Sequence, residues 1–212
     1  MKIRDPKIRQ VLESHDFGEP RGLNDYIELF GFPLADALKK LRPMDHWLDA
    51  GSGEGRAIQE YRLASSKQDV FTTAVTLKSM TALAAPTHKT IVNYLEEIPQ
   101  DQIRSCDIIT DVSGGLQFTE QPDLLLRRYL MWLKPSGVLF IHLDPGTSFV
   151  DRSGQRLPLL DWIREIPGLK AEEGKDAGSV ALRKDQTPHP IPRLKLVEAK
   201  LGSHLVRVFR ES

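Results

Sequence analysis

Apolar positions along the chain fall into short runs separated by helix-like stretches. "HWLDA", "DVFTTAVTL", "KTIVNYL", "CDIITDV" and "GVLFIHL" are five strand candidates, each a near-continuous apolar or β-branched run bounded by polar or turn residues. Between the fourth and fifth, "QPDLLLRRYLMWLKPSG" places Leu124, Leu125, Leu126, Leu130 and Leu133 on a helical face that Pro135 and Gly137 stop. Strands alternating with helices predict a parallel sheet with helices on both faces. Runs that do not alternate cleanly fit strands buried on both sides.

The flanks differ from this core. Residues 1–42 carry helix-like pieces at "DPKIRQVLESH" and "LNDYIELFGFPLADALKKL", the second with Asn24 as N-cap and Pro33 as the break. After residue 145, "LPLLDWIREIPGL" reads as one more helix. "SVALRKD", "RLKLVEAKL" and "HLVRVFRES", joined by the loop "QTPHPIP", read as antiparallel strands closing one edge of the sheet. The expectation is one α/β domain over 1–212: a helical preface (1–42), a doubly wound, mostly parallel core (45–144) and a C-terminal helix with edge strands (145–212).

Composition narrows the function classes. The 212 residues carry 29 Lys plus Arg and 29 Asp plus Glu, so no net field gathers nucleic acid or an anionic membrane. Nucleic acid is therefore not indicated, although the balance leaves room for a local basic patch. The single cysteine, Cys106, rules out an internal disulfide and a cysteine-based zinc site, and no metal is expected. The chain begins without the apolar core of a signal peptide and holds no run near the roughly 18 apolar residues of a membrane span, so a cytoplasmic protein is expected.

The chemistry concentrates in "WLDAGSGEG". A strand ending in glycines and passing directly into a helix brings backbone N–H groups close to a ligand. A dinucleotide fingerprint would need its third glycine where Arg56 stands. Asp49, at the mouth of the strand, would repel a pyrophosphate and favour a cationic or hydrogen-donating group.

This stretch resembles the first motif of the class I S-adenosylmethionine-dependent methyltransferases. "CDIITDVSGGLQFTEQPDLLLRRYLMWLKPSGVLFIHL" is similar to the later part of the same pattern, and the resemblance spans roughly residues 45–144. It implies a Rossmann-like fold and S-adenosylmethionine as cofactor. The turn Ala50, Gly51, Ser52, Gly53 and Gly55 would pass under the cofactor, and Asp49 would help hold its methionine end. Thr76 would lie at the ribose and Leu95 and Glu96 at the adenine. Asp111 would touch the methionine part or face the methyl acceptor, and Leu77 and Val112 complete the cofactor-binding set. One departure is plain: family members usually carry an acid where Thr76 stands, and a threonine cannot form a charged bidentate pair with the ribose hydroxyls.

In an open parallel sheet the ligand lies at the carboxyl ends of the strands. That rule makes Asp111, His142 and Asp144 the catalytic candidates. Neither the Asn-Pro-Pro-aromatic loop of many amino-group methyltransferases nor the Lys-Asp-Lys-Glu set of ribose methyltransferases is present. The preferred acceptor is a small molecule or a protein side chain. The alternatives are an RNA methyltransferase, a dehydrogenase-like nucleotide binder and a non-catalytic cofactor-binding partner subunit.

Overall fold

The computed structural model describes residues 20–65, 69–77, 87–185, 191–201 and 205–211. The helix expected in "DPKIRQVLESH" and most of the "TPHPIP" loop lie outside these residues. Strands β1 (His46–Ala50), β2 (Phe71–Thr76), β3 (His88–Val92), β4 (Cys106–Val112) and β5 (Leu133–His142) are all parallel, and each matches one of the five apolar runs. With β8 (Leu169–Glu173) and β9 (Ser179–Lys184) they form a seven-stranded sheet of order β3-β2-β1-β4-β5-β9-β8, in which β9 is antiparallel to β5 and to β8. Every residue of β1 is buried, as expected of a central strand covered on both faces. The order reverses between β1 and β4, so the carboxyl ends of these two strands form the crevice of the sheet.

Two apolar clusters cover the faces of the sheet. On one side lie α1 (Leu23–Phe30), α2 (Phe32–Lys40) and α3 (Arg56–Ala64), with Tyr26, Phe30, Leu34, Trp47 and Ile58 packed together. On the other, α5 (Pro122–Trp132) and α6 (Leu159–Arg164) bury Leu125, Leu126, Tyr129 and Ile163. The start of α1 differs from expectation. Gly22 is the N-cap, and its N–H donates to Asp25 Oδ2 at 2.6 Å, while Asn24 lies inside the first turn. The break falls at Gly31, whose φ of 69° suits glycine, and Pro33 opens α2, where its missing N–H costs nothing.

The expected edge strands divide between two sheets. "SVALRKD" becomes β9 and pairs antiparallel with β5, as read from the sequence. "RLKLVEAKL" and "HLVRVFRES" instead supply β10 (Leu194–Leu201) and β11 (Leu205–Glu211) of a separate four-stranded sheet of order β10-β11-β6-β7. Its other members, β6 (Thr147–Val150) and β7 (Arg156–Pro158), directly follow β5. Phe209 faces the common core, fully buried, and seats this sheet against the first.

Candidate active site at the β1–β4 crevice

The glycine turn leaves β1 where the sequence placed it. Gly51, Gly53 and Gly55 have φ of 79°, 55° and 71°, the left-handed region that glycine enters without a steric penalty. The three serve different ends. A Cβ on Gly51 would stand 2.6 Å from Gly114 Cα, so the turn packs backbone to backbone against the loop after β4. A Cβ on Gly53 would meet no heavy atom within 4 Å, so this residue faces open space. Gly55 is the N-cap of α3. Ser52 ties the turn to β2, its N–H and Oγ donating to Val75 O at 2.8 and 3.1 Å.

Asp49 is fully buried beneath the turn. Its Oδ1 accepts from Thr110 Oγ1 at 2.7 Å, and the Tyr26 hydroxyl approaches Oδ1 and Oδ2 at 3.1 and 3.3 Å. Trp47 Nε1 donates to Thr110 Oγ1 at 3.0 Å, which fixes the threonine rotor towards Asp49. Burial pushes the Asp49 carboxyl up to about 7, against the two hydroxyl hydrogen bonds and reinforced by the charge of Asp111. A buried carboxyl poised near neutrality, with acceptor capacity left on Oδ2, suits an ammonium or another donor brought by a ligand. Tyr26 and Thr110 were missed in the sequence because their partners lie 23 and 61 residues away.

Asp111 is fully buried and engaged within its own loop. Its Oδ1 accepts from Gly114 N at 3.0 Å, and its Oδ2 from Leu116 N at 2.8 Å and the Tyr129 hydroxyl at 2.7 Å. Through these bonds the carboxylate clamps the loop after β4. Burial raises its carboxyl to about 6, with the three hydrogen bonds opposing. Replacing Asp111 with Asn turns an amide N–H towards one of these donors and is expected to cost about 2 kcal/mol. Urea denaturation at pH 7.5 measures that loss; unchanged stability with lost ligand binding would point instead to a ligand-facing role for Asp111.

Ser113, next in the loop after Val112, has φ of 46°, a left-handed conformation uncommon outside glycine and a mark of a constrained site. Val112 is buried, and its carbonyl accepts from Arg21 Nη1 at 3.5 Å. Thr76 closes β2, 4% exposed, with its carbonyl accepting from Asn93 N at 3.0 Å, so it occupies the predicted strand-end position. The adjoining Leu77 begins "LKSMTALAAP", which contains no acid. Leu95 belongs to the core and packs on Gly115, where a Cβ would lie 2.3 Å from Leu95 Cδ1. Glu96 is buried beside it, within electrostatic reach of Asp111 and Arg128.

His142 and Asp144 come together at the end of β5. His142 Nε2 stands 3.4 Å from Asp144 Oδ1, and Nδ1 stands 3.0 Å from Ser179 Oγ and 3.6 Å from Asp176 Oδ1. The hydrogen bond from His142 holds the Asp144 carboxyl down at about 2, with Arg21, 4.0 Å away, assisting. Asp144 is the half-exposed member of the pair and His142 the buried one. The Asp144 N–H donates to Gln117 Oε1 at 3.1 Å, which fixes its backbone. Such a carboxylate is a weak base and a strong acceptor, suited to orienting a hydroxyl or amine rather than deprotonating it.

Cys106 lies apart, fully buried, its Sγ donating to Arg104 O at 3.1 Å; burial pushes its thiol well above the ordinary range. Among the described residues, no group of three or more His, Cys, Asp or Glu could hold a metal ion, and no helix is long and apolar enough to cross a membrane.

Comparison with known proteins adds the fold. No protein-family model matches the chain, and no curated protein matches its sequence. Among solved structures, the CurJ carbon methyltransferase superposes with a TM-score of 0.50 at 14% identity over 73% of this chain and 52% of that one, so the chain spans about half its length. The sugar N-methyltransferase KedS8 from Streptoalloteichus sp ATCC 53650 gives a TM-score of 0.51 at 13% identity over 88% and 95% of the two chains. A chain from a complex containing the Haloferax volcanii Trm112 methyltransferase activator gives 0.51 at 12% identity over 86% and 95%. Identities this low speak to architecture alone: the chain has the Rossmann-like fold of the class I S-adenosylmethionine-dependent methyltransferases.

Proposed function

We propose that the protein is an S-adenosylmethionine-dependent methyltransferase acting on a small molecule or a protein side chain. One observation carries this reading. A glycine turn open to solvent at Gly53 overlies a buried acid, Asp49, in the β1–β4 crevice of a sheet with methyltransferase strand order. That arrangement fits the methionine end of the cofactor, whose ammonium can pair with Asp49 and which bears no phosphate to be repelled. When bound, the cofactor supplies an electrophilic methyl group on a sulfonium.

The chain's own part is binding and orientation. Gly51, Gly53 and Ser52 shape the floor, Asp49 holds the ammonium, and Thr76 lies under the ribose. Asp144, kept ionised by His142, orients the acceptor by accepting its hydrogen bond. Positioning two reactants in this way supplies much of the rate for an in-line displacement. KedS8 is named a sugar N-methyltransferase, which supports a small-molecule acceptor. Thr76 in place of an acid, and a histidine facing carboxylates at both ring nitrogens, favour a partner-subunit reading as the runner-up.

Calorimetric titration with S-adenosylmethionine, S-adenosylhomocysteine and NAD tests the cofactor. The first two are expected to bind and NAD is not; binding of NAD alone would replace the reading with a dehydrogenase-like one. Thr76→Asp tests the ribose position. In the ligand-free protein the new carboxylate would stand at a position only 4% exposed and is expected to lower stability by about 1–3 kcal/mol. In the complex it receives the ribose hydroxyls, so S-adenosylhomocysteine should bind several-fold tighter, a net gain of about 1 kcal/mol. Weaker binding would show that the ribose lies elsewhere.

A further inference from the structure

A buried side chain of the second sheet reaches the loop after β4. Arg207, on β11, is fully buried and faces the four-residue helix α4 (Gly115–Phe118) that follows β4. A helix this short leaves its last carbonyls without intrahelical donors, and buried carbonyls need partners. Arg207 supplies them: Nη2 donates to Leu116 O at 3.1 Å and also to Gln117 O, and Nη1 donates to Thr119 O. Nη2 lies a further 3.3 Å from Thr147 Oγ1 on β6. The opposite end of α4 is held by Asp111, which accepts from Gly114 N and Leu116 N. One helical turn is thus gripped by an anion at its N-terminus and a cation at its C-terminus, each on the side its dipole favours.

Burying a guanidinium is costly even with the charges of Glu96 and Glu120 acting on it, and an apolar residue of similar length would pack at less expense. What an apolar residue could not do is collect three carbonyls at once. The turn so fixed bears on both halves of the candidate site. Its leading residue, Gly114, abuts Gly51 of the glycine turn. Its Gln117 side chain accepts from the Asp144 N–H and lies 3.3 Å from Thr147 Oγ1.

We propose that Arg207 is a positioning residue that sets the loop after β4, and through it both the glycine turn and the Asp144 backbone, so that the second sheet is a working part of the site. This rests on the cofactor reading above. Two variants of the full-length chain test it. Arg207→Met keeps the length and removes every donor; Arg207→Lys keeps the charge but cannot span three carbonyls. The readouts are hydrogen exchange of the peptide covering 112–119, affinity for S-adenosylhomocysteine and thermal stability. Ile163→Val serves as a control that weakens the core away from α4.

Arg207→Met is expected to exchange about ten-fold faster over 112–119 and to bind S-adenosylhomocysteine at least about ten-fold more weakly, with Arg207→Lys intermediate on both. Ile163→Val should lower stability with cofactor affinity unchanged. A merely structural arginine gives the pattern of the control, and that result in either variant overturns the proposal. If Arg207→Met does not fold, Arg207→Lys decides by the same criterion. Wild-type protein that binds no S-adenosylhomocysteine overturns the cofactor reading, and with it the link to the site. The exchange data then still report separately whether Arg207 holds the loop.

Discussion

Gly53→Val is expected to abolish S-adenosylhomocysteine binding in a protein that remains folded. The cost to the fold is limited because a Cβ at this position meets no protein atom within 4 Å; only the backbone strain of a β-branched residue at φ 55° is added, about 1–3 kcal/mol. The cost to the ligand is much larger, since the isopropyl group enters the space over the turn and the strained backbone shifts the floor. Gly51→Ala gives the opposite signature. Its methyl would press on Gly114 Cα from 2.6 Å, backbone against backbone, so the fold itself should suffer. Circular dichroism and calorimetry on the pair separate a ligand-facing glycine from a packing one. Unchanged affinity in folded Gly53→Val would move the site away from the turn.

The second large effect is on pH. Asp49 lies near 7 in the ligand-free protein because burial disfavours its charge, yet an ammonium ligand needs the ionised form. Below that value, binding must first remove a proton, so S-adenosylhomocysteine affinity should fall by up to about ten-fold per pH unit, and by up to about 100-fold between pH 7.5 and pH 5. Stability of the ligand-free protein moves the other way. The folded-state values of Asp49 and of Asp111, at about 6, both lie above the ordinary carboxyl value. Their contribution is fully present below about pH 4 and is lost as pH rises through 6 and 7. Melting temperature should therefore fall from pH 5 to pH 8 while the shift produced by ligand grows. Asp49→Asn should flatten the affinity profile, and calorimetry across the range measures it. An affinity that does not change between pH 5 and 7.5 would detach the ammonium from Asp49.

Most of the parallel core was legible because β1, β2, β4 and the apolar part of β5 are buried, so each reads as an apolar or β-branched run whatever its neighbours. The glycine turn was legible for a local reason: three glycines at alternate positions have few other uses. The partners of Asp111, Gly114 N, Leu116 N and the Tyr129 hydroxyl, were not legible because they are set by loop geometry and by a helix 18 residues on. The second sheet escaped notice for a different reason. "TSFV" and "RLP" are too short to signal strands, and β11 pairs with β6 in parallel across about sixty residues of chain. Nothing in the sequence neighbourhood of Arg207 announces a buried guanidinium whose acceptors lie about ninety residues away.

Methyl transfer is the central claim. Purified protein should be incubated with S-adenosylmethionine labelled on the methyl carbon and a fractionated cell extract, with Gly53→Val run in parallel. The account predicts label in a small-molecule or protein fraction with the wild type and none with the variant. Wild-type protein that binds S-adenosylmethionine in the calorimeter yet leaves every fraction unlabelled would contradict it, and would make the chain a cofactor-binding partner rather than an enzyme.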